Sequence, residues 1–188
     1  MKENYHHGNL KKDLLETSIQ IISKEGFDKL SLRNISSKCG VSHNAIYRHF
    51  DNKNQLINAC QEYVTKEFTS YLKAKIVDKE DELEKIRLLS YAYIEFYKEH
   101  PTYYSFMYRN TYIKIEFMMK ANNENYPPYN IFREQYELLA KKQNLTIEET
   151  LIKLTRLWAL LHGITAFLIS DNVYWNNDWK ACLEQEFK

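Results

Sequence analysis

Ser42, His43 and Asn44 stand together directly after Cys39-Gly40-Val41, and their side chains carry the mixture of donors and acceptors that reads base edges. Asn pairs with adenine or other bases, His donates or accepts at a base edge or a phosphate, and the small Ala45 packs against a thymine methyl. Tyr47, His49 and Lys53 follow, offering a hydroxyl, an imidazole and an ammonium to phosphates, which fix position without carrying sequence information. Arg33 lies upstream with the reach for either. These side chains do such work only if their segment is a helix whose N-terminal end enters the major groove of B-DNA.

The surrounding residues supply that helix and its support. Leu14, Leu15, Ser18, Ile19 and Ile22 recur at helical spacing, with Asn9 as N-cap and Gly26 as stop, and predict a first helix from about Asn9 to Glu25. Ser31 caps a second helix that turns Leu32, Ile35 and Ser36 inward and ends near Lys38. Cys39-Gly40-Val41 is then a tight turn, in which Gly40 takes positive φ without steric penalty. Ser42 caps a third helix through Ile46 and Tyr47 to Phe50, with Phe50 in the core and Tyr47 outward. Two short helices joined by three residues with a central glycine form a helix-turn-helix.

The stretch Leu30-Ser31-Leu32-Arg33-Asn34-Ile35-Ser36, followed by Cys39-Gly40-Val41-Ser42, Ile46-Tyr47-Arg48-His49-Phe50 and Lys53-Asn54-Gln55-Leu56, resembles the DNA-binding domain of the TetR/AcrR family of bacterial transcriptional regulators. The resemblance runs over residues 8 to 60, and Tyr5-His6-His7-Gly8-Asn9-Leu10 is similar to the N-terminal arm of one branch. Ser36 and Cys39 stand where the family pattern usually has Ala; both replacements are small. The resemblance implies base contacts from Arg33, His43 and Asn44 and phosphate contacts from Ser31, Ser42, Tyr47, His49 and Lys53. His43 and Asn44 occupy positions that vary among members, which puts operator specificity there. It also divides the chain into a DNA-binding domain, residues 1–52, and an effector-binding and dimerisation domain, residues 53–188.

Beyond the motif, Asn52 with Gln55 three residues on opens a long helix that reaches about Ala74. Ile86, Leu89, Ala92, Tyr93, Phe96 and Tyr97 mark another, ended by His100-Pro101, and Tyr103 to Tyr108 a further one. Ala121 to Asn130 reads as a loop, Tyr129 to Lys142 as helix, and Thr146 with Glu149 as a capping box for a helix from Ile147 to about Ser170. That helix becomes almost wholly apolar from Leu157 to Ile169, so it is buried on most sides, with a second subunit as one candidate cover. Tyr174 to Phe187 reads as the final helix. The run Leu157-Trp158-Ala159-Leu160-Leu161-His162-Gly163-Ile164 resembles a signature of one TetR branch, implying a dimeric four-helix bundle from the last two helices. The family also implies a pocket for a small effector, for which Tyr93, Tyr97, Tyr103, Phe106, Trp158 and His162 are candidates, although each taken singly is better explained by core packing.

Composition narrows the classes. In 188 residues there are only four Gly and three Pro, too few turn residues for an all-β sandwich, so an all-α protein is expected. With glycine only at 8, 26, 40 and 163, no G-x-G-x-x-G, Walker loop or G-x-S-x-G elbow exists, and no enzyme is expected. Cys39 and His43 lack a second pair at zinc spacing, so no metal or cofactor is expected. The apolar run Leu157–Ile169 is too short to span a bilayer, no secretory signal follows Met1, and three scattered cysteines suit a reducing cytoplasm. Residues 1–60 hold nine Lys and Arg against six Asp and Glu, a modest basic excess that permits a polyanionic partner. The expectation is a homodimeric, ligand-responsive repressor on a palindromic double-stranded DNA operator. The alternative is a ligand-sequestering or protein-interaction module whose N-terminal unit is only structural.

Overall fold

A computed structural model describes residues 10–109 and 113–188, and all regular structure among them is helical. The expected Asn9 cap and almost all of the N-terminal arm lie outside the described residues. Among the described residues there are nine α-helices: α1 Leu10–Glu25, α2 Leu32–Lys38, α3 His43–Tyr47, α4 Lys53–Ala74, α5 Glu82–Glu99, α6 Pro101–Arg109, α7 Pro127–Gln143, α8 Ile147–Leu168 and α9 Trp179–Glu184. They fall into two compact units. One takes in the described residues through Lys66 together with the segment that starts at Thr102; the other is Glu67–Pro101 with Ile113–Lys188. The border therefore differs from the expected one at 52/53, because the first turns of α4 and most of α6 group with α1 to α3.

In the first unit, α1 buries Leu14, Leu15, Ile19 and Ile22, and α2 and α3 add Ile35, Ile46 and the following Phe50. Gly26 stops α1 at φ 88°. Leu56, Ile57, Cys60 and Val64 of α4 are buried with them, and Tyr63 and Tyr103 both donate hydroxyl hydrogens to Glu16 Oε1 of α1, at 2.7 and 2.5 Å. Burial and the Glu16 carboxylate hold the Tyr103 phenol well above its ordinary value.

In the second unit, α5, α7 and α8 pack on one another around an aromatic core. Tyr93, Tyr97, Tyr129, Phe68 and Phe132 are fully buried, and Trp158 meets Tyr93, Tyr129 and Phe132 in edge-on contacts, each 5.5 Å between centroids. α8 starts with the expected capping box between Thr146 and Glu149. Short α9 lies on α5 through Trp179 against Tyr91 and ion pairs Lys180–Glu95 and Arg87–Glu184.

Several boundaries moved from the sequence expectation. The Pro127-Pro128 pair opens α7 instead of sitting inside a loop, since the first turn of a helix needs no amide donors from those positions. The expected final helix from Tyr174 shrinks to Trp179–Glu184, followed by a 3₁₀ turn at Gln185–Phe187. Asn172, Asn176 and Asn177 disfavour helix over the preceding stretch, and Asp178 caps the helix only where its carboxylate accepts from the Lys180 amide at 2.9 Å. Counting only Leu157–Ile169 also understated α8. The whole helix has 22 residues and, by length and composition, is apolar enough to cross a membrane. Its buried Leu154, Leu157, Leu161 and Ile164 are the face that meets α5 and α7.

Candidate nucleic-acid interface

The turn that aims α3 is set by Gly40 at φ 67°, a left-handed backbone that residues with a Cβ rarely adopt. Val41 N closes it by donating to Ser36 O at 3.0 Å. Ser31 caps α2, its hydroxyl oxygen accepting from the Asn34 amide at 3.1 Å, which leaves the hydroxyl hydrogen available to an outside acceptor. Ser42 takes the N-cap position of α3 without a side-chain cap bond, so its hydroxyl also remains available to a partner. Apolar Ile46 anchors α3 inward, and its outer face is left to the polar residues.

All the predicted contact residues on the motif are at the surface. Ser31, Arg33, Ser42, His43, Asn44, Tyr47 and His49 are exposed and Lys53 is half-buried. Ser31, Arg33, His43, Tyr47 and Lys53 line one depression of about 450 Å³ with Leu30, Asp51 and Asn52. Ser42, Asn44 and His49 stand outside its lining, Ser42 and Asn44 at the N-terminal end of α3 and His49 beyond its C-terminal end. His43 meets Tyr47 edge-on at 5.0 Å, so the phenol ring limits where the imidazole can turn. Asp51 is the acid of the depression and opposes a phosphate near it; its amide donates to Gln55 Oε1 at 2.5 Å. Gln55 thus reaches one residue beyond Asn52, whose own Oδ1 accepts from the Gln55 amide at 3.0 Å.

Lys53 has a partner that the sequence did not disclose. Its Nζ donates to the Phe27 carbonyl at 2.9 Å and sits 3.9 Å over the Phe27 ring, tying the start of α4 to the turn after α1. Phe27 opens the 3₁₀ turn Phe27–Lys29 that follows Gly26. Cys39 is buried with Sγ 3.2 Å from Thr17 Oγ1, while His43 points outward, so the two do not form a ligand pair.

Of the six effector candidates, four come together in the second unit. Tyr93, Tyr97 and Trp158 are buried, and the Tyr93 hydroxyl lies 2.8 Å from His162 Nδ1. Burial holds the His162 imidazole down at about 4, so it is neutral at pH 7. Tyr103 and Phe106 belong instead to the first unit. A groove of about 780 Å³ lies elsewhere on the second unit, beside the turn between α7 and α8, and none of the six lines it.

Residues 14–60 match the family of bacterial regulatory proteins, tetR family. The chain is 38% identical over 55 residues, 29% of its length and 19% of the relative's, to the uncharacterized HTH-type transcriptional regulator YerO of Bacillus subtilis. It is 26% identical over 94 residues, 50% of its length and 48% of the relative's, to the nucleoid occlusion factor SlmA of Vibrio campbellii. It thus spans at most about half the length of these curated relatives. Its fold is similar to that of a TetR family transcription regulator from Marinobacter aquaeolei, with a TM-score of 0.73 at 15% identity over 94% of this chain and 91% of the other.

Proposed function

Through its N-terminal domain this chain belongs to the tetR family of bacterial regulatory proteins, and from that premise we propose that it is a homodimeric repressor that holds a palindromic operator until a small effector releases it. The carrying observation is the outward face of α3 and the adjoining depression, which gather five of the eight expected DNA-contacting side chains around one cavity. His43 and Asn44 read base edges there, while Ser31, Ser42, Tyr47, His49 and Lys53 hold phosphates and Arg33 reaches either. Two copies related by a two-fold axis place two such faces in successive major grooves, and the operator mirrors that symmetry.

The dimer reading is supported by α8. Ile152, Ala159, Leu160, Gly163 and Phe167 form a stripe at helical spacing that its own chain leaves exposed or half-exposed. Among the described residues a Cβ built at Gly163 would meet nothing within 4 Å, which leaves room for a second copy to approach α8 there. Past the end of α8, exposed Val173 and Tyr174 line a depression with Phe167 of that stripe. The effector acts by binding one conformer more tightly than the other, and it shifts operator affinity only by that difference. Such a regulator works in the cytoplasm, where its operator is.

Selection from a random DNA library, followed by affinity for the winner against scrambled DNA across a salt series, tests the reading. An enriched inverted repeat with a steep salt dependence is expected. If His43→Ala and Lys53→Ala leave every activity unchanged, the helix-turn-helix is only structural and the alternative of a sequestering or interaction module holds.

A further inference from the structure

The groove beside the α7–α8 turn has the chemistry of a ligand site, and it is separate from the aromatic cluster. Its floor is apolar: Met119, Ala140, Leu145 and Ile147 contribute to it, and Ile147 is 76% exposed although it opens a long apolar helix. The turn below is rigid. Asn144 takes a left-handed backbone at φ 53°, Leu145 N donates back to Ala140 O at 3.0 Å, and the Thr146–Glu149 capping box fixes the start of α8. The volume, about 780 Å³, is that of a small-molecule site.

Its charge is one-sided. Lys120 and Lys141 are on the wall, and neither has an ion-pair partner among the described residues, whereas neighbouring Lys142 is bound to Glu82 and Lys114 to Glu116. The one acid on the wall among the described residues, Glu137, is paired with Arg133, a 4% exposed residue whose Nη1 lies 2.5 Å from Glu137 Oε1 and whose Nη2 lies 3.7 Å from Glu134. What remains is two cations above an apolar floor.

We infer that this groove binds a small anion with an apolar tail, the head group held by Lys120 and Lys141 and the tail laid over Ala140, Leu145 and Ile147. The site does not rest on the DNA-binding reading, because occupancy is measured on the protein alone.

Titration calorimetry of the full chain with octanoate and octyl phosphate, against octanol and octyltrimethylammonium, tests it. Either anion should bind at least about tenfold more tightly than octanol and the cation, and comparing the two anions identifies the preferred head group. Replacing Lys120 and Lys141 together by Gln should weaken the anion about tenfold, the scale of two partly exposed ion pairs. Ile147→Glu places an acid at the first position of α8, where it suits the helix dipole and leaves the fold intact, and should likewise weaken the anion. Ala140→Trp should block it. Equal affinity for octanol, or anion binding unchanged by Ile147→Glu and Ala140→Trp, would overturn the assignment. Binding with no effect on operator affinity would leave the site standing and remove it from regulation.

Discussion

Lys53 stands between two roles, and the difference is measurable. Its ammonium already satisfies the Phe27 carbonyl and ring, so Lys53→Met, which keeps the stem, should lower unfolding stability by about 1 kcal/mol. If it also holds a phosphate, the salt dependence of DNA binding should fall by about one unit, equally on all sequences. A stability loss with an unchanged salt slope would assign Lys53 to the Phe27 clamp alone. Asn44→Ala, by contrast, should cost about 1 to 3 kcal/mol mainly on the preferred site, and equal losses on random DNA would remove Asn44 from base readout. His162 gives a prediction in pH. Its native value near 4 lies below the ordinary 6.5, so the unfolded chain takes up the proton first as pH falls. Stability is therefore complete above pH 6.5 and lost progressively down to pH 4, by up to about 3 kcal/mol, and His162→Gln should flatten that part of the denaturation profile. Asn44 stands out as a candidate in the sequence because a short polar run beside a glycine turn has few other uses, whereas Lys53 and His162 carry no such local signal. Their partners are not legible there either: Phe27 is 26 residues from Lys53 and Tyr93 is 69 from His162, distances over which spacing carries no information.

At the scale of elements, legibility followed the strength of local signals. α1, α4 and α8 carry long apolar periodicity, the last two with capping side chains as well, and they form where expected. The stretch from Tyr174 failed because Trp175 and Trp179 sit at helical spacing while the asparagines between them favour turns, and spacing alone could not show which would prevail. α6 is the other case. Its aromatics looked like those of α5, yet Tyr103 turns to Glu16 of α1, where Tyr63 also donates. Tyr103→Phe should cost about 1 kcal/mol in urea unfolding, and so should Tyr63→Phe. The double variant should cost more than their sum, because the second deletion takes away the remaining phenol from a part-buried carboxylate. Strict additivity would mean that the two hydroxyls act independently.

For the whole molecule, Gly163 separates packing within the chain from packing between chains. Among the described residues nothing contacts a Cβ built there, so Gly163→Ala should stabilise an isolated chain by about 1 kcal/mol, the ordinary gain in a helix interior. If a second copy crosses α8 at this point, Gly163→Leu should shift the species seen in analytical ultracentrifugation towards the monomer. An unchanged dimer would move the interface elsewhere. The discontinuous make-up of the first unit has another consequence, one for synthesis. The segment beginning at Thr102 completes that unit although the chain on both sides of it belongs to the other. The helix-turn-helix therefore emerges from the ribosome well before the residues that finish its core. Until then the surface of α1 and α4 that receives Tyr103 stays open on the nascent chain, and a fragment cut before α6 would keep that surface bare and invite chaperones or self-association.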